Sequence, residues 1–350
     1  SPVTRPRSAP PCSGHSRTLP LATASSLTNP ALRAKMHRLS PRVLPSVSVT
    51  LARHASAAAK PPLVLSSLNE AGVLTLAFNN PDKLNAWTMP LLSQLSAVLQ
   101  DASTNASVKG VVVTGTGRYY SAGVDLSAII KPMQPTKLIK QIRDQNQRLF
   151  AMMIDFPKPI AAAVNGPAIG AAVTSTVLMD GCFASPAATF SLPFAKLGVP
   201  PEGCSSVTFA ELMGEAAAKR ILGEENWIPT AVEAAEAKLI TEVVPGGVED
   251  LLARTVAFVE SKIAEGGGRR YDAKEAERLR HVNAVESAEL ANAFVSPKFL
   301  GAMEAFNTTR KKANLALFFR IARLSLPLWQ PTFIGPNHDF RMDWPQGSGN

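Results

Sequence analysis

Three loops hold the residue types that could do chemistry. The first is Tyr120-Ser121-Ala122-Gly123-Val124-Asp125, and the second is Asn165-Gly166-Pro167-Ala168-Ile169-Gly170-Ala171. Each follows an apolar run of strand character and precedes a helical segment. Glycine there lets main-chain amides approach a ligand closely, and amides at a helix start favour negative charge. Jointly the two loops could hold one oxygen anion; they read equally well as ordinary strand-to-helix turns. The third loop, Gly198-Val199-Pro200-Pro201-Glu202-Gly203-Cys204-Ser205-Ser206, is stiffened by two prolines. Glu202 is the only charged residue between Lys196 and Glu211. A carboxylate in apolar surroundings has a raised pKa and can serve as a general base. Taken alone, Glu202 also fits as a cap or first-turn acid of the helix that follows.

Other chemistries lack their residues. The histidines are His15, His37, His54, His281 and His338, so none falls between residues 61 and 280. That argues against a Ser-His-Asp hydrolase or a histidine-ligated metal in that region. Cys12, Cys182 and Cys204 are unpatterned and supply neither a disulfide framework nor a CxxC knuckle. Their spacing suits a reducing compartment. Gly115-Thr116-Gly117 follows a strand, but Tyr120 stands where a dinucleotide fingerprint needs its third glycine. No phosphate-binding G-x-x-x-x-G-K-[ST] loop occurs, and neither a metal nor a separate cofactor is expected.

The elements that must position these loops alternate between strands and helices. Leu63–Leu68 and Val73–Phe78 read as strands joined by the hairpin turn Asn69-Glu70-Ala71-Gly72. Leu91, Leu92, Leu95, Val98 and Leu99 have helical spacing, with Thr88 as cap and Pro90 in the first turn. Gly110–Thr114 reads as a buried strand. Ile139, Ile142, Leu149, Phe150 and Met153 mark one face of the next helix. A strand at Ile160, a helix from about Ile169 and a strand near Cys182–Ala184 follow. Strands separated by helices predict parallel pairing through right-handed crossovers. Beyond residue 204 the pattern is almost wholly helical, broken at Gly266-Gly267-Gly268.

The net charge of +9 is unevenly placed. Residues 1–60 hold nine of the 36 basic residues and none of the 27 acids, so the remainder is formally neutral. A nucleic-acid role is accordingly the weakest reading. An Arg-, Ser-, Ala- and Pro-rich segment without acids has the composition of a mitochondrial transit peptide. The predicted organisation is a leader at 1–60, an α/β core at 61–265, a helical part at 266–329 and an irregular tail at 330–350. Ile160–Met179 is twenty residues without a charge, but Asn165-Gly166-Pro167 splits it into a strand and a helix, so no membrane span is expected. The last residues are not a peroxisomal Ser-Lys-Leu address.

Taken together, the loops resemble the crotonase (enoyl-CoA hydratase/isomerase) superfamily. The resemblance runs from about Leu63 to about Leu326. It is carried by Asn80-Pro81-Asp82-Lys83-Leu84-Asn85-Ala86, by Ser121–Asp125, by Pro157–Gly166, by Phe190-Ser191-Leu192-Pro193 and by the segment Phe299–Phe306. It implies a spiral of ββα units with a helical C-terminal trimerisation part, and a coenzyme A thioester as substrate. Two main-chain amides, by position those of Val124 and Ala171, would hold the thioester oxygen as an enolate forms. Lys83, Leu84, Ala86, Ser121, Ala122, Gly123, Asp125 and Gly170 would lie along the substrate, with Phe194 lining the acyl site. Lys311 and Lys312 are candidate phosphate contacts, and read equally as a solvated helix face. A homotrimer or dimer of trimers is implied.

The same resemblance bears on the reaction. Hydratases of this superfamily use two glutamates, and the matching positions here are Thr174 and Phe194. The run Pro201-Glu202-Gly203-Cys204-Ser205-Ser206 resembles instead the Δ3,Δ2-enoyl-CoA isomerases, whose single glutamate sits on this loop. The implied activity is a double-bond shift serving β-oxidation, with Glu202 as base, in the mitochondrial matrix or alternatively the peroxisome. The competing readings are a hydratase or dienoyl-CoA isomerase, and a non-catalytic acyl-CoA-binding scaffold.

Overall fold

The Val-rich run after Lys109 forms a strand, β3 (Gly110–Gly115), buried over its whole length. Its side chains alternate between two cores, as strand geometry requires: Val111 and Val113 join the larger one, Val112 the smaller. The computed structural model describes residues 61–126 and 134–333, with side chains as far as Leu328. The leader and residues 334–350 of the expected tail lie outside these residues.

β1 (Val64–Leu68) and β2 (Val73–Phe78) form the expected antiparallel hairpin. Asn69 closes it, its Oδ1 accepting from Val73 N at 2.8 Å. Helix α1 (Met89–Thr104) is capped by Thr88, which accepts from Leu91 N, and buries Leu91, Leu95 and Leu99. Helix α2 (Pro135–Ile154) buries Ile142, Leu149, Phe150 and Met153, with Ile139 half-buried. The long uncharged segment splits into β4 (Ile160–Val164), β5 (Ala168–Ile169) and helix α3 (Ala171–Val177). Among the described residues no helix is long and apolar enough to cross a membrane.

Then follow β6 (Gly181–Ala184), β7 (Phe190–Ser191), α4 (Phe194–Leu197) and α5 (Ser205–Leu222), which kinks at Gly214. Next are α6 (Ala231–Glu236), β8 (Glu242–Val243), α7 (Val248–Ala264), α8 (Ala273–Ala293), α9 (Pro297–Thr309) and α10 (Ala313–Phe333). The main sheet has the order β1-β2-β3-β4-β6-β8, parallel from β2 onward, and β5 pairs with β7 separately. Helices cover both faces, as a parallel sheet needs. Helix α7 covers one face with Leu251 and Val259. The helix α10 continues through Phe333, so residues 330–333 are helical and not irregular as expected.

A buried ion pair ties the helical part to the core. Asp180, after α3, accepts from Arg269 Nε at 2.9 Å and from the amides of Ile160 and Arg270 at 2.8 Å. Arg269 also donates to the carbonyls of Met153, Phe156 and Leu178. The two side chains are only 6 % and 1 % exposed. The Gly266–Gly268 break therefore leads directly into a clamp on α2, α3 and β4.

Candidate active site

Two asparagines from separate motifs shape the loop after β3. Asn85 is fully buried, and its Nδ2 donates to Thr116 O at 2.9 Å and Tyr119 O at 2.8 Å. Asn165, after β4, accepts from Gly115 N at 3.0 Å and donates to Gly117 O at 2.9 Å. The first two glycine-bearing loops are further tied by Ile169 N donating to Ser121 O at 3.0 Å. They meet at the carboxyl ends of β3 and β4, the end of an open parallel sheet where ligands bind.

Glycine is required twice at this meeting point. A Cβ on Gly123 (φ 74°) would stand 2.3 Å from Ile169 O and 3.8 Å from Ala171 N. Gly170 adopts φ 59°, ψ −129°, a region closed to other residues. The surrounding amides are spoken for: Ala122 N donates to Leu84 O, Gly123 N to Ser121 Oγ, Asp125 N to Trp87 O and Gly170 N to Ser191 O. The amides of Val124 and Ala171 enter no hydrogen bond among the described residues. Two donors thus remain available where the loops converge.

Glu202 is buried, and burial followed by the nearby Glu286 carboxylate raises its pKa from 4.5 to about 8. Its main-chain carbonyl accepts from Ser205 N and Oγ, but no hydrogen bond among the described residues reaches its carboxylate. Phe150 and Thr174 pack against Gly203 beside it. The carboxylate that meets the start of α5 is Glu286 of α8, which accepts from Cys204 N at 2.6 Å and Ser206 N at 2.9 Å. The capping role open to Glu202 is therefore filled by a residue the sequence reading missed.

A cavity of about 1450 Å³ gathers these parts. Lys83, Leu84, Ala86, Ala122, Gly123, Val124, Asp125, Gly170, Ala171, Phe194 and Glu202 all line it. Ser121 does not: it is fully buried, donating to Asn85 O at 2.8 Å, and supports the loop instead of facing the cavity. Lys312 lies on the wall and Lys311 does not; Arg310, which the sequence reading passed over, joins Lys312 there. Among the described residues Glu202 is the one buried carboxylate on the wall, since Asp82 and Asp155 are exposed and Asp125 is half-buried. Among the described residues no group of three or more His, Cys, Asp or Glu could hold a metal ion.

Comparison with known proteins agrees with this geometry. The family profile for enoyl-CoA hydratase/isomerase matches residues 69–293. The chain belongs to the enoyl-CoA hydratase/isomerase family. Within the family, it is 35 % identical over 254 residues to mouse peroxisomal enoyl-CoA delta isomerase 3, covering 71 % of this chain and 79 % of that one. It is 36 % identical over 259 residues to human enoyl-CoA delta isomerase 2. That match covers 71 % of this chain and 64 % of the relative, less than two thirds of its length. The fold resembles the crystal structure of an enoyl-CoA hydratase/isomerase from Pseudoalteromonas atlantica, with a TM-score of 0.59 and 26 % identity over 71 % of this chain and 97 % of that one.

Proposed function

We propose that the chain is a Δ3,Δ2-enoyl-CoA isomerase, with Glu202 as its single proton carrier. The observation that carries this reading is that Glu202 is the one buried carboxylate on a wall that also presents two free amides. At the positions that resemble the hydratases' two glutamates stand Thr174, fully buried, and Phe194. Neither can activate water, so the site suits proton transfer without hydration.

In the reaction, the Glu202 carboxylate removes a proton from C2 of a 3-enoyl-CoA. The electron pair moves onto the thioester oxygen, which Val124 N–H and Ala171 N–H hold as a dienolate. Losing one such donor costs about 2.7–4 kcal/mol in comparable sites. The thioester carbonyl then re-forms, the double bond shifts to C2–C3, and protonated Glu202 delivers its proton to C4. A base whose pKa lies near neutrality serves both directions well. Phe194 and the apolar wall keep water from the intermediate.

Coenzyme A phosphates fit the cations Lys83, Arg310 and Lys312 on the same wall. On α10, Leu317, Ile321, Leu324 and Leu328 recur at helical spacing and are 55–83 % exposed, which supports a homotrimer or dimer of trimers built on this face. The leader's composition supports the mitochondrial matrix; the mouse relative's printed name makes the peroxisome the alternative.

The test follows trans-3-hexenoyl-CoA with the full chain, reading the conjugated product in the ultraviolet. Conversion by the parent and a loss of roughly 10²–10⁴-fold in folded Glu202→Gln is expected. In the parent, kcat/KM rises with pH through about 8 as Glu202 ionises. Equal rates in parent and variant remove Glu202 from the mechanism. Binding of coenzyme A esters without conversion assigns the chain to acyl-CoA binding alone.

A further inference from the structure

We propose that Glu286 is a positioning residue of the reaction, holding the Glu202 loop by two main-chain hydrogen bonds and keeping Glu202 a proton carrier rather than a fixed charge. The proposal rests on the isomerase reading above.

The geometry is specific. Each Glu286 oxygen takes one amide, Cys204 N at 2.6 Å and Ser206 N at 2.9 Å, so the carboxylate grips the chain immediately after Glu202. Cys204 is held at φ 63°, a left-handed conformation that costs a non-glycine residue free energy. Its thiol turns away to donate to Leu279 O, leaving no local cap for α5. Four helices are capped by their own N-cap side chains, Thr88, Thr230, Asp272 and Ser296, while α2, α3 and α4 have no side-chain cap. Here the chain instead uses a carboxylate from 82 residues away, buried to 3 % exposure. No ion pair among the described residues offsets that charge.

The electrostatics follow from the same contacts. Two buried carboxylates near each other do not ionise independently. Burial raises the Glu286 carboxyl above its ordinary value, and the Cys204 and Ser206 amides oppose that rise. No such donor among the described residues reaches the Glu202 carboxylate, so the pair's negative charge is biased toward Glu286 and Glu202 keeps its proton to higher pH. Few other groups face the pair. Glu289 on α8 adds negative charge at Glu286; Arg278 and Glu275, also on α8, act with opposite signs at Cys204. Glu211 of α5 is occupied by Arg278. Helix α2 presents neutral Asn146, which donates to Ser287.

Glu286→Gln keeps an acceptor for one amide, places a donor against the other and removes the charge. With trans-3-hexenoyl-CoA, its kcat is expected to fall about 10–100-fold, since small displacements of a catalytic group are costly. KM should stay within about twofold, because the loops holding coenzyme A are elsewhere. The acid limb of kcat/KM should move to lower pH by about one unit. Glu286→Asp keeps the charge, so its limb should stay at the parent position while kcat drops; it decides the matter if the glutamine variant fails to fold. Infrared titration of the carboxylic band lost in Glu202→Gln reads the same shift without turnover. An unmoved midpoint and limb in folded Glu286→Gln, or a moved limb in Glu286→Asp, overturns the role of Glu286 while leaving the isomerase standing. Absence of turnover in the parent, with the infrared shift present, overturns the isomerase and leaves the pairing intact.

Discussion

Asp180 and Glu202 are both carboxylates removed from water, and the fold treats them in opposite ways. Asp180 meets a guanidinium and two amides, and Arg269 spreads its remaining donors over three carbonyls and the Tyr271 hydroxyl. Every donor and acceptor at that clamp is used, and it fastens α2, α3 and β4. Glu202 meets a second carboxylate, no cation and no donor among the described residues. Asp180 is fully paired, whereas the Glu202 carboxylate is left without a donor among the described residues. On the proposed reading, the first buried charge serves the fold and the second the reaction.

Three substitutions sharpen or break this contrast. The largest effect on stability is expected from Arg269→Ala, which strands Asp180 without its counter-charge and should cost about 3–5 kcal/mol in urea unfolding. Turnover per folded molecule should stay at the parent value; a cost below about 1 kcal/mol would show that the clamp is ornamental. Glu202→Gln should act in the reverse sense. A carboxyl whose folded pKa is raised from 4.5 to about 8 contributes stability that is present below 4.5 and lost as pH rises through 8. The parent should therefore lose on the order of 3 kcal/mol between pH 5 and 8 through this group, a loss Glu202→Gln is spared. Parallel stability–pH curves for the two proteins would contradict the burial of Glu202 without a donor among the described residues. The smallest effect belongs to a third kind of charge. Glu224, 77 % exposed and 3.4 Å from Lys298, is solvated in either state. Glu224→Gln should change unfolding free energy by less than about 0.5 kcal/mol, and salt should erase even that.

Much of this was legible in the residues because it rests on short-range pattern. Thr88 and Pro90 mark the start of α1, the Val-rich run marks β3, and Asn165-Gly166-Pro167 marks the turn that breaks a span-like segment. The loops of Gly123, Gly170 and Glu202 stand out through glycine, proline and an isolated acid. What stayed hidden depends on pairing across long separations. The strand β8 is two half-buried residues, Glu242–Val243, defined only by its partner β6. Glu286 looks like one more surface acid on α8 beside Glu277 and Glu289, and its importance appears only when the Cys204 and Ser206 amides arrive from 80 and more residues away. Asn85 and Asn165 were visible as motif letters, but not as the stitches that hold the β3 loop. Ser121 was placed at the substrate because it shares a motif with residues that face the cavity, whereas its side chain points into the backbone behind them. Pro327 and Pro331 resemble helix breakers, yet α10 runs past both.

The state of Cys204 has a consequence for chemical durability. The product of the proposed reaction is a conjugated thioester, an electrophile that thiolates attack at the β-carbon. A reactive cysteine beside the proposed base would be alkylated by such a product. Cys204 sits two residues from Glu202, yet it is fully buried, lies off the cavity wall and donates its hydrogen to Leu279 O at 3.2 Å. Burial and the Glu286 charge push its ionisation far above neutrality. On the proposed mechanism, the carboxylate that holds the Glu202 loop also keeps its neighbour a thiol, so an electrophilic product would meet no reactive sulfur there.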